Sequence, residues 1–380
     1  GNNLNMINGI YKTLPHHLHL EPTSDCNARC PQCPRTFFTS KITDPRLNVE
    51  EWSPAELSEI LRNEYFKDLR KILVNGNYGD IVKHSQPKEL LEVALAHNTM
   101  IEIRTNGGAL PVAFWSWLGQ QKNVLVEFGI DGLADTHHLY RRNTRFDVVI
   151  KNASAYIAAG GNASWAMTLF KHNEHQEQPC RELATELGFS SFKARASSRW
   201  HTKDLIVVDN NFNKEYVLEP VTGLASRYSA APADKARPLS FYEQHRKEIT
   251  FDLASAKIKE SPVEDVKCHV ADGNSVYLSA DKKLWPCCWI GFNVQNAIKT
   301  NTRTSFVEKF FNELNYDLDF NNVMTHSITG IVGSGLFLEI ENSWRHTPFD
   351  ECSTMCSKKS NWNIQAKNTQ ISKLGANNEL

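Results

Sequence analysis

The decapeptide Cys26-Asn27-Ala28-Arg29-Cys30-Pro31-Gln32-Cys33-Pro34-Arg35 carries three thiols spaced as Cys, three residues, Cys, two residues, Cys. It follows a short alternating stretch, His17 to Glu21, that reads as a strand, so the thiols occupy the loop leaving that strand's C-terminal end. Three thiolates match neither a four-cysteine structural zinc site nor an electron-transfer cluster in which every iron is closed. On a four-iron cluster they leave one iron open to a further ligand. The alternative is a zinc site completed by His16, His17 or His19.

Downstream, a unit of short strand plus amphipathic helix recurs to about residue 200, six units in all. This is the pattern of parallel strands joined by crossover helices. The strands are expected near His17 to Glu21, Lys71 to Asn75, Met100 to Asn106, Val124 to Asp131, Ser164 to Lys171 and Ser191 to Ala196. Ser53 with Pro54 and Glu56 reads as a capped helix start, Pro87 and Pro111 open two further helices, and Gly188 closes the fifth.

Strand parity separates two faces. Leu18, Leu20, Ile101, Ile103, Val124, Val126, Phe128 and Ile130 share the apolar one. His19, Glu21, Glu102, Arg104, Asn106, Glu127, Asp131, Lys193 and Arg195 share the other, and these groups need water, one another or a ligand. A charged inner face favours an incomplete barrel over a closed, apolar-filled one. The fifth strand opposes Trp165, Met167 and Leu169 to Ser164, Ala166 and Thr168, which leaves its inner face unassigned.

The length of 380 residues gives about two domains, and 41% hydrophobic residues suffice for a core. A net charge of −1 provides no global field toward nucleic acid or an anionic bilayer. The apolar runs fall short of the roughly 20 residues that span a membrane, and the first residues lack a secretory pattern, so a cytoplasmic location is expected. Nine cysteines, an odd number, argue for reduced thiols over disulfides. Eight of them cluster in two groups, and Cys180 stands alone as an expected packing residue.

The triplet on this repeat resembles the radical S-adenosylmethionine (SAM) superfamily. The resemblance implies an α/β fold, a partial (β/α)6 TIM-type barrel, with Cys26, Cys30 and Cys33 holding a [4Fe-4S] cluster whose open iron binds the amino and carboxylate groups of SAM. One electron then cleaves the sulfonium, and the resulting 5′-deoxyadenosyl radical abstracts hydrogen from a substrate. Asn75-Gly76-Asn77-Tyr78-Gly79-Asp80 looks like the glycine-rich segment that meets the SAM amino group, and Thr105-Asn106-Gly107 like another segment near SAM. Asp131-Gly132 followed by Tyr140-Arg141 resembles the region that supplies an arginine to the SAM carboxylate, with Arg142 and Arg145 as competitors. Two positions depart from the pattern. Gln32 stands where many relatives carry an aromatic residue or Met near the adenine, and Gly129 where a ribose-contacting Ser is common.

Cys268, Cys287-Cys288, Cys352 and Cys356 resemble the C-terminal auxiliary-cluster domain called SPASM, or its shortened twitch form. Five cysteines support one auxiliary [4Fe-4S] cluster on Cys268, Cys287, Cys352 and Cys356, with Cys288 able to exchange with its neighbour. A zinc knuckle is the bland alternative. The expected organisation is an N-terminal extension (1–15), the barrel (16–200), a linker with one or two helices (201–260), a smaller α+β auxiliary-cluster domain of short strands and turns (261–357) and a polar tail, mobile or draped (358–380). The substrate implied is a residue of a peptide or protein, with a small molecule or nucleotide as the other possibility and flavodoxin or ferredoxin as electron donor. Glu21, Glu102, Lys193 and Arg195 are candidate substrate contacts, the last two on the strand expected nearest the second domain. A different class altogether is a non-catalytic iron–sulfur or zinc-binding interaction protein.

Overall fold

Alternating apolar residues build the strands, and amphipathic stretches build the helices that cross between them. The computed structural model describes residues 11, 13–200, 202–224, 257–258, 266–272, 274–357 and 370–374. The chain runs through β1 (His17–Leu20), α1 (Pro54–Leu61), β2 (Lys71–Val74), α2 (Pro87–Ala96), β3 (Met100–Thr105), α3 (Val112–Gly119) and β4 (Val124–Gly129). It continues through α4 (His137–Tyr140), α5 (Phe146–Ala158), β5 (Asn162–Leu169), α6 (Glu177–Glu186) and β6 (Ser191–Ala196). β1 to β6 pair in chain order and all run parallel. The expected repeat is present, with strand ends within a few residues of their expected places.

Local signals account for the boundaries. The Ser53 side chain accepts from the Glu56 amide at 3.2 Å while Glu56 Oε2 accepts from the Ser53 amide at 2.8 Å. Gly188 ends α6 at φ +85°, a conformation that suits glycine. The outer face of the sheet buries Leu18, Leu20, Ile72, Ile101, Val126 and Phe128 beneath the helices. Each such side chain contributes about 1.5–3 kcal/mol by leaving water. β5 joins the pattern: Trp165 and Met167 are buried in this layer, so Ser164, Ala166 and Thr168 face inward, in register with Ser191, Lys193 and Arg195.

The second cysteine region shares the sheet. β10 (Ser275–Leu278) pairs parallel with β1, and β11 (Leu284–Trp285) adds antiparallel to it. At the opposite edge β13 (Gln370–Lys373) pairs antiparallel with β6, giving a nine-stranded sheet of order β11-β10-β1-β2-β3-β4-β5-β6-β13. Among the described residues its two edges are β11 and β13, so the sheet they form is open, as expected for a partial barrel.

Four expectations need correction. β6 neighbours β13, while the strands of the second cysteine region lie beside β1. Part of the polar tail is therefore an ordered edge strand. The first part of the expected helical linker is a hairpin, β7 (Leu205–Val208) and β8 (Lys214–Leu218), whose turn is closed by Asp209 Oδ1 accepting from the Asn211 and Asn213 amides at 2.8 and 2.9 Å. β9 (Lys257–Ile258) and β12 (Thr302–Arg303) form a separate short pair. Around the second cysteines helices outweigh strands, among them Cys288–Thr300, Leu336–Trp344 and Asp350–Cys356. The remainder of the expected linker and tail, and most of the N-terminal extension, lie outside the described residues. Among the described residues no helix is long and apolar enough to cross a membrane.

Removing the Ser53 cap tests the helix assignment. Ser53→Ala should lower the free energy of unfolding by about 1 kcal/mol in urea titration. No change would show that the capping box does not hold α1.

Candidate active site

Leaving β1, the chain folds the thiol loop against itself. Cys26 N donates to Asp25 Oδ1 at 2.8 Å, Cys33 N to Cys30 O at 3.0 Å and Thr36 Oγ1 to Cys30 O at 2.8 Å. Buried Arg35 pairs with Asp25 at 2.7 Å, which fixes the loop's entry to its exit. All three cysteines are free and half-buried. Burial first, then the charges of Asp80 and the other two thiols, pushes Cys26 well above the ordinary range. Burial pushes Cys30 up to about 12, although Arg141 acts against it. Cys26 and Cys30 thus lie within electrostatic reach of the loop's other thiols, and ionising these two needs a cationic neighbour. An iron–sulfur cluster fits that donor set.

Arg141 is the arginine that faces the thiols. Its Nε donates to Asp131 Oδ2 at 2.6 Å, and Asp131, fully buried, also accepts from the Thr168 amide at 2.6 Å. Burial works against the Arg141 charge, but Asp131 and then Cys30 raise its pKa. Gly129 has a reason to be glycine: a Cβ there would come within 2.6 Å of Arg141 Nη2. The departure at Gly129 thus makes the seat of the guanidinium. Arg142 turns the other way, donating to Thr39 O at 2.6 Å, Val208 O at 3.0 Å and Glu215, and so clamps the β7–β8 hairpin to the chain beyond the thiol loop. Arg145 is exposed and pairs with Asp147 at 2.6 Å.

The glycine-rich segment lies beside this loop. A Cβ on Gly79 would stand 1.8 Å from Thr23 O, and one on Gly76 2.2 Å from Gly79 O, so the backbone requires both glycines. Asn75 O meets His19 Nε2 at 2.7 Å. Asn77 donates its amide to Glu21 Oε2 and its side chain to the Tyr277 hydroxyl at 3.1 Å. Tyr78 is buried 5.6 Å from Phe292, ring to ring, with Lys299 5.8 Å from its centroid. Asn77 and Tyr78 thus tie the segment to β10 and the helix Cys288–Thr300. Burial pushes Glu21 up to about 7, while hydrogen bonds from Asn77 and Tyr277 act against it. Gln32 bridges to the end of β6, donating to Arg199 O at 3.0 Å and accepting from Ser197 Oγ at 2.6 Å. Asn106 lies against Cys26 and Asp80.

The inner-face charges pair laterally. Lys71 contacts Glu102, Arg104 contacts Glu102 at 2.9 Å and Glu127 at 3.8 Å, and Lys193 contacts Glu127. The small inner residues of β5 leave room for Lys193 to reach across to β4. Arg195 sits one level higher, opposite Thr168, in the fields of Glu127 and Asp131 and of Arg104 and Arg199. Glu102 and Lys193 are thus engaged within the wall.

Cys268, Cys287, Cys352 and Cys356 line one cavity, together with buried Glu351 and half-buried Trp289. Cys287 Sγ accepts from the Ile290 amide at 3.5 Å at the start of the helix Cys288–Thr300. Cys288 does not line the cavity and lies in the fields of Cys356, Arg104 and Glu21. These sulfurs share the lining of the cavity, and among the described residues, those of the three-cysteine loop included, no three His, Cys, Asp or Glu are placed to hold a single metal ion. Four sulfur donors around a cavity fit a cluster. Cys180 is fully buried in α6. Asp80 and Tyr277 are site-building residues that the sequence reading does not assign, and Arg142, expected as a competitor of Arg141, is a clamp instead. Only Asp80, inside the quoted glycine-rich segment, carried a local signal.

No family model and no curated protein matches the chain. Among solved structures it is similar to Streptococcus suis SuiB bound to precursor peptide SuiA, at 14% identity and TM-score 0.47, covering 89% of this chain and 76% of that one. It is also similar to native anSMEcpe with bound AdoMet, at 13% identity and TM-score 0.46, covering 90% and 89%. Both likenesses concern the fold.

Burial lowers His19 and His137 to about 4. The unfolded chain protonates these rings below about 6.5, so their contribution is fully present above that pH and is lost as pH falls toward 4. His172, also lowered to about 4 by burial, acts with them, and Glu21, raised to about 7, acts in the opposite direction with one proton against three. Urea unfolding from pH 7 to 4.5 should show falling stability, with a shallower slope in His137→Gln. An unchanged slope in that variant would contradict the buried neutral ring.

Proposed function

We propose that this chain is a radical SAM enzyme that modifies a residue of a peptide or protein. The carrying observation is that three free thiols share one loop, at the C-terminal edge of a parallel sheet, beside the Arg141–Asp131 pair. Ligands enter open α/β sheets at that edge.

Cys26, Cys30 and Cys33 would hold the SAM-binding [4Fe-4S] cluster. When bound, it supplies the electron that cleaves SAM to a 5′-deoxyadenosyl radical. Arg141, fixed through Nε by Asp131, is placed to meet the SAM carboxylate. The tight Gly76–Gly79 turn brings backbone close to the same loop. Gln32 closes that loop against Ser197 and Arg199, where an adenine would otherwise need an aromatic wall. The lateral ion pairs keep inner-face side chains ordered around the space into which a substrate would project.

Cys268, Cys287, Cys352 and Cys356 would hold one auxiliary [4Fe-4S] cluster. The cavity that they share without Cys288 supports this choice of ligands. The peptide or protein substrate follows from the resemblance of this second cysteine group to SPASM and twitch domains. A flavodoxin or ferredoxin would supply electrons. The non-catalytic zinc-binding reading leaves the buried Arg141–Asp131 pair beside the thiols without a role.

Reconstituted anaerobically and reduced with dithionite, the protein should release 5′-deoxyadenosine from SAM. Arg141→Ala should weaken SAM binding roughly tenfold or more through loss of a charged hydrogen bond, whereas Arg145→Ala should not. Iron-loaded protein that neither binds nor cleaves SAM would overturn the proposal.

A further inference from the structure

We propose that Asn106 and Asp80 set the redox poise of the three-cysteine cluster: Asn106 donates an amide N–H to the Cys26 sulfur, and Asp80 fixes the orientation of that amide. This rests on the reading of the thiol loop as a cluster site. The resemblance places Asn106 near SAM, and a bond to sulfur is a separate role.

Asn106 lies just beyond β3 and is 2% exposed. Its Nδ2 stands 3.6 Å from Cys26 Sγ, 2.9 Å from Asn27 Oδ1 and 2.9 Å from Asp80 Oδ2. One N–H therefore serves the carboxylate, and the other is shared between the Asn27 oxygen and the sulfur. The amide has one permitted orientation. Its oxygen accepts from the Gly108 amide at 2.8 Å, and turning it over would set oxygen against the Asp80 carboxylate and nitrogen against a peptide N–H.

Asp80 is itself immobilised. It accepts from the Val82 amide at 3.1 Å, Thr105 Oγ1 at 2.7 Å and the Asn106 amide at 2.7 Å, and its own amide donates to Asp25 O at 2.8 Å. Asp25 in turn accepts from Cys26 N. The carboxylate, the amide and the sulfur thus form one rigid chain that links the glycine-rich segment, the end of β3 and the first cysteine.

A hydrogen bond to a cluster sulfur draws charge from it and favours the more negative, reduced state. Asn106 should therefore raise the potential, making the cluster easier to reduce. Because the bond reaches the sulfur directly, its effect is present without SAM.

The test is a redox titration of reconstituted protein without SAM, read by electron paramagnetic resonance. The Cys26→Ala/Cys30→Ala/Cys33→Ala protein supplies the auxiliary spectrum to subtract. In Asn106→Ala the ratio of reduced to oxidised cluster at a fixed potential should fall roughly tenfold, the equivalent of one charged hydrogen bond. Asp80→Asn/Asn106→Asp keeps the charge count and a polar pair but puts a carboxylate oxygen beside the sulfur, and should shift the ratio further in the same direction. Either variant titrating with the wild type while iron-loaded would overturn the proposal. So would loss of the cluster from both, which would make the pair a scaffold. A wild-type protein with no reducible cluster at this loop would instead refute the functional reading on which the proposal stands.

Discussion

Three sulfur anions cannot share one buried loop unless something positive stands among them. The surroundings of Cys26, Cys30 and Cys33 are organised around this constraint. Left as thiols, Cys26 and Cys30 are driven toward neutrality by burial first, and then by neighbouring acidic groups and thiols of the same loop. Arg141, and after it Arg199, acts in the other direction on Cys30, and Arg141 is tethered to Asp131. The backbone around the loop is tight enough that glycines at 76, 79 and 129 give way to a carbonyl or a guanidinium. Those contacts position the loop against β1, β2 and β4 at once. A site at the C-terminal edge of a parallel sheet can draw on several strands in this way, because each strand end delivers one loop to the same rim.

The inner face solves a related electrostatic problem. Its charged residues lie on four strands, and leaving them unpaired away from water would be costly. Pairing them laterally, Lys71 to Glu102 to Arg104 to Glu127 to Lys193, neutralises the wall strand by strand. The chain of pairs ends below Arg195, which stands at the level of Thr168 and senses both Glu127 and Asp131. Polar order in the wall and access at the rim are thus separated by height along the strands.

Much of this was legible in the sequence, for definable reasons. The β/α repeat, the Ser53 cap and the inward parity of Glu102, Arg104, Glu127 and Lys193 are local, periodic signals, and the structure reproduces them. β5 was ambiguous because neither of its faces carries charge, and only its register with β4 and β6 shows which side is inward. β10, β11 and β13 are four residues or fewer and pair with strands distant in sequence, so no window of sequence reveals their partners. The β7–β8 hairpin reads as linker in sequence because its polar turn, Asp209 to Asn213, outweighs two short apolar runs. At the site, the cysteines, the glycine-rich turn and Arg141 were visible as motifs. The reason for Gly129, the outward clamp of Arg142 and the Tyr277 hydroxyl on Glu21 depend on three-dimensional neighbours and were not.

The proposed assignment of two independent clusters to the two groups of cysteines is tested most directly by counting metal. Anaerobically reconstituted protein should contain two four-iron clusters by iron and sulfide analysis with Mössbauer spectroscopy, and the variant lacking Cys26, Cys30 and Cys33 should retain one. Stoichiometric zinc without iron after anaerobic preparation would contradict the account, as would loss of all iron from that variant.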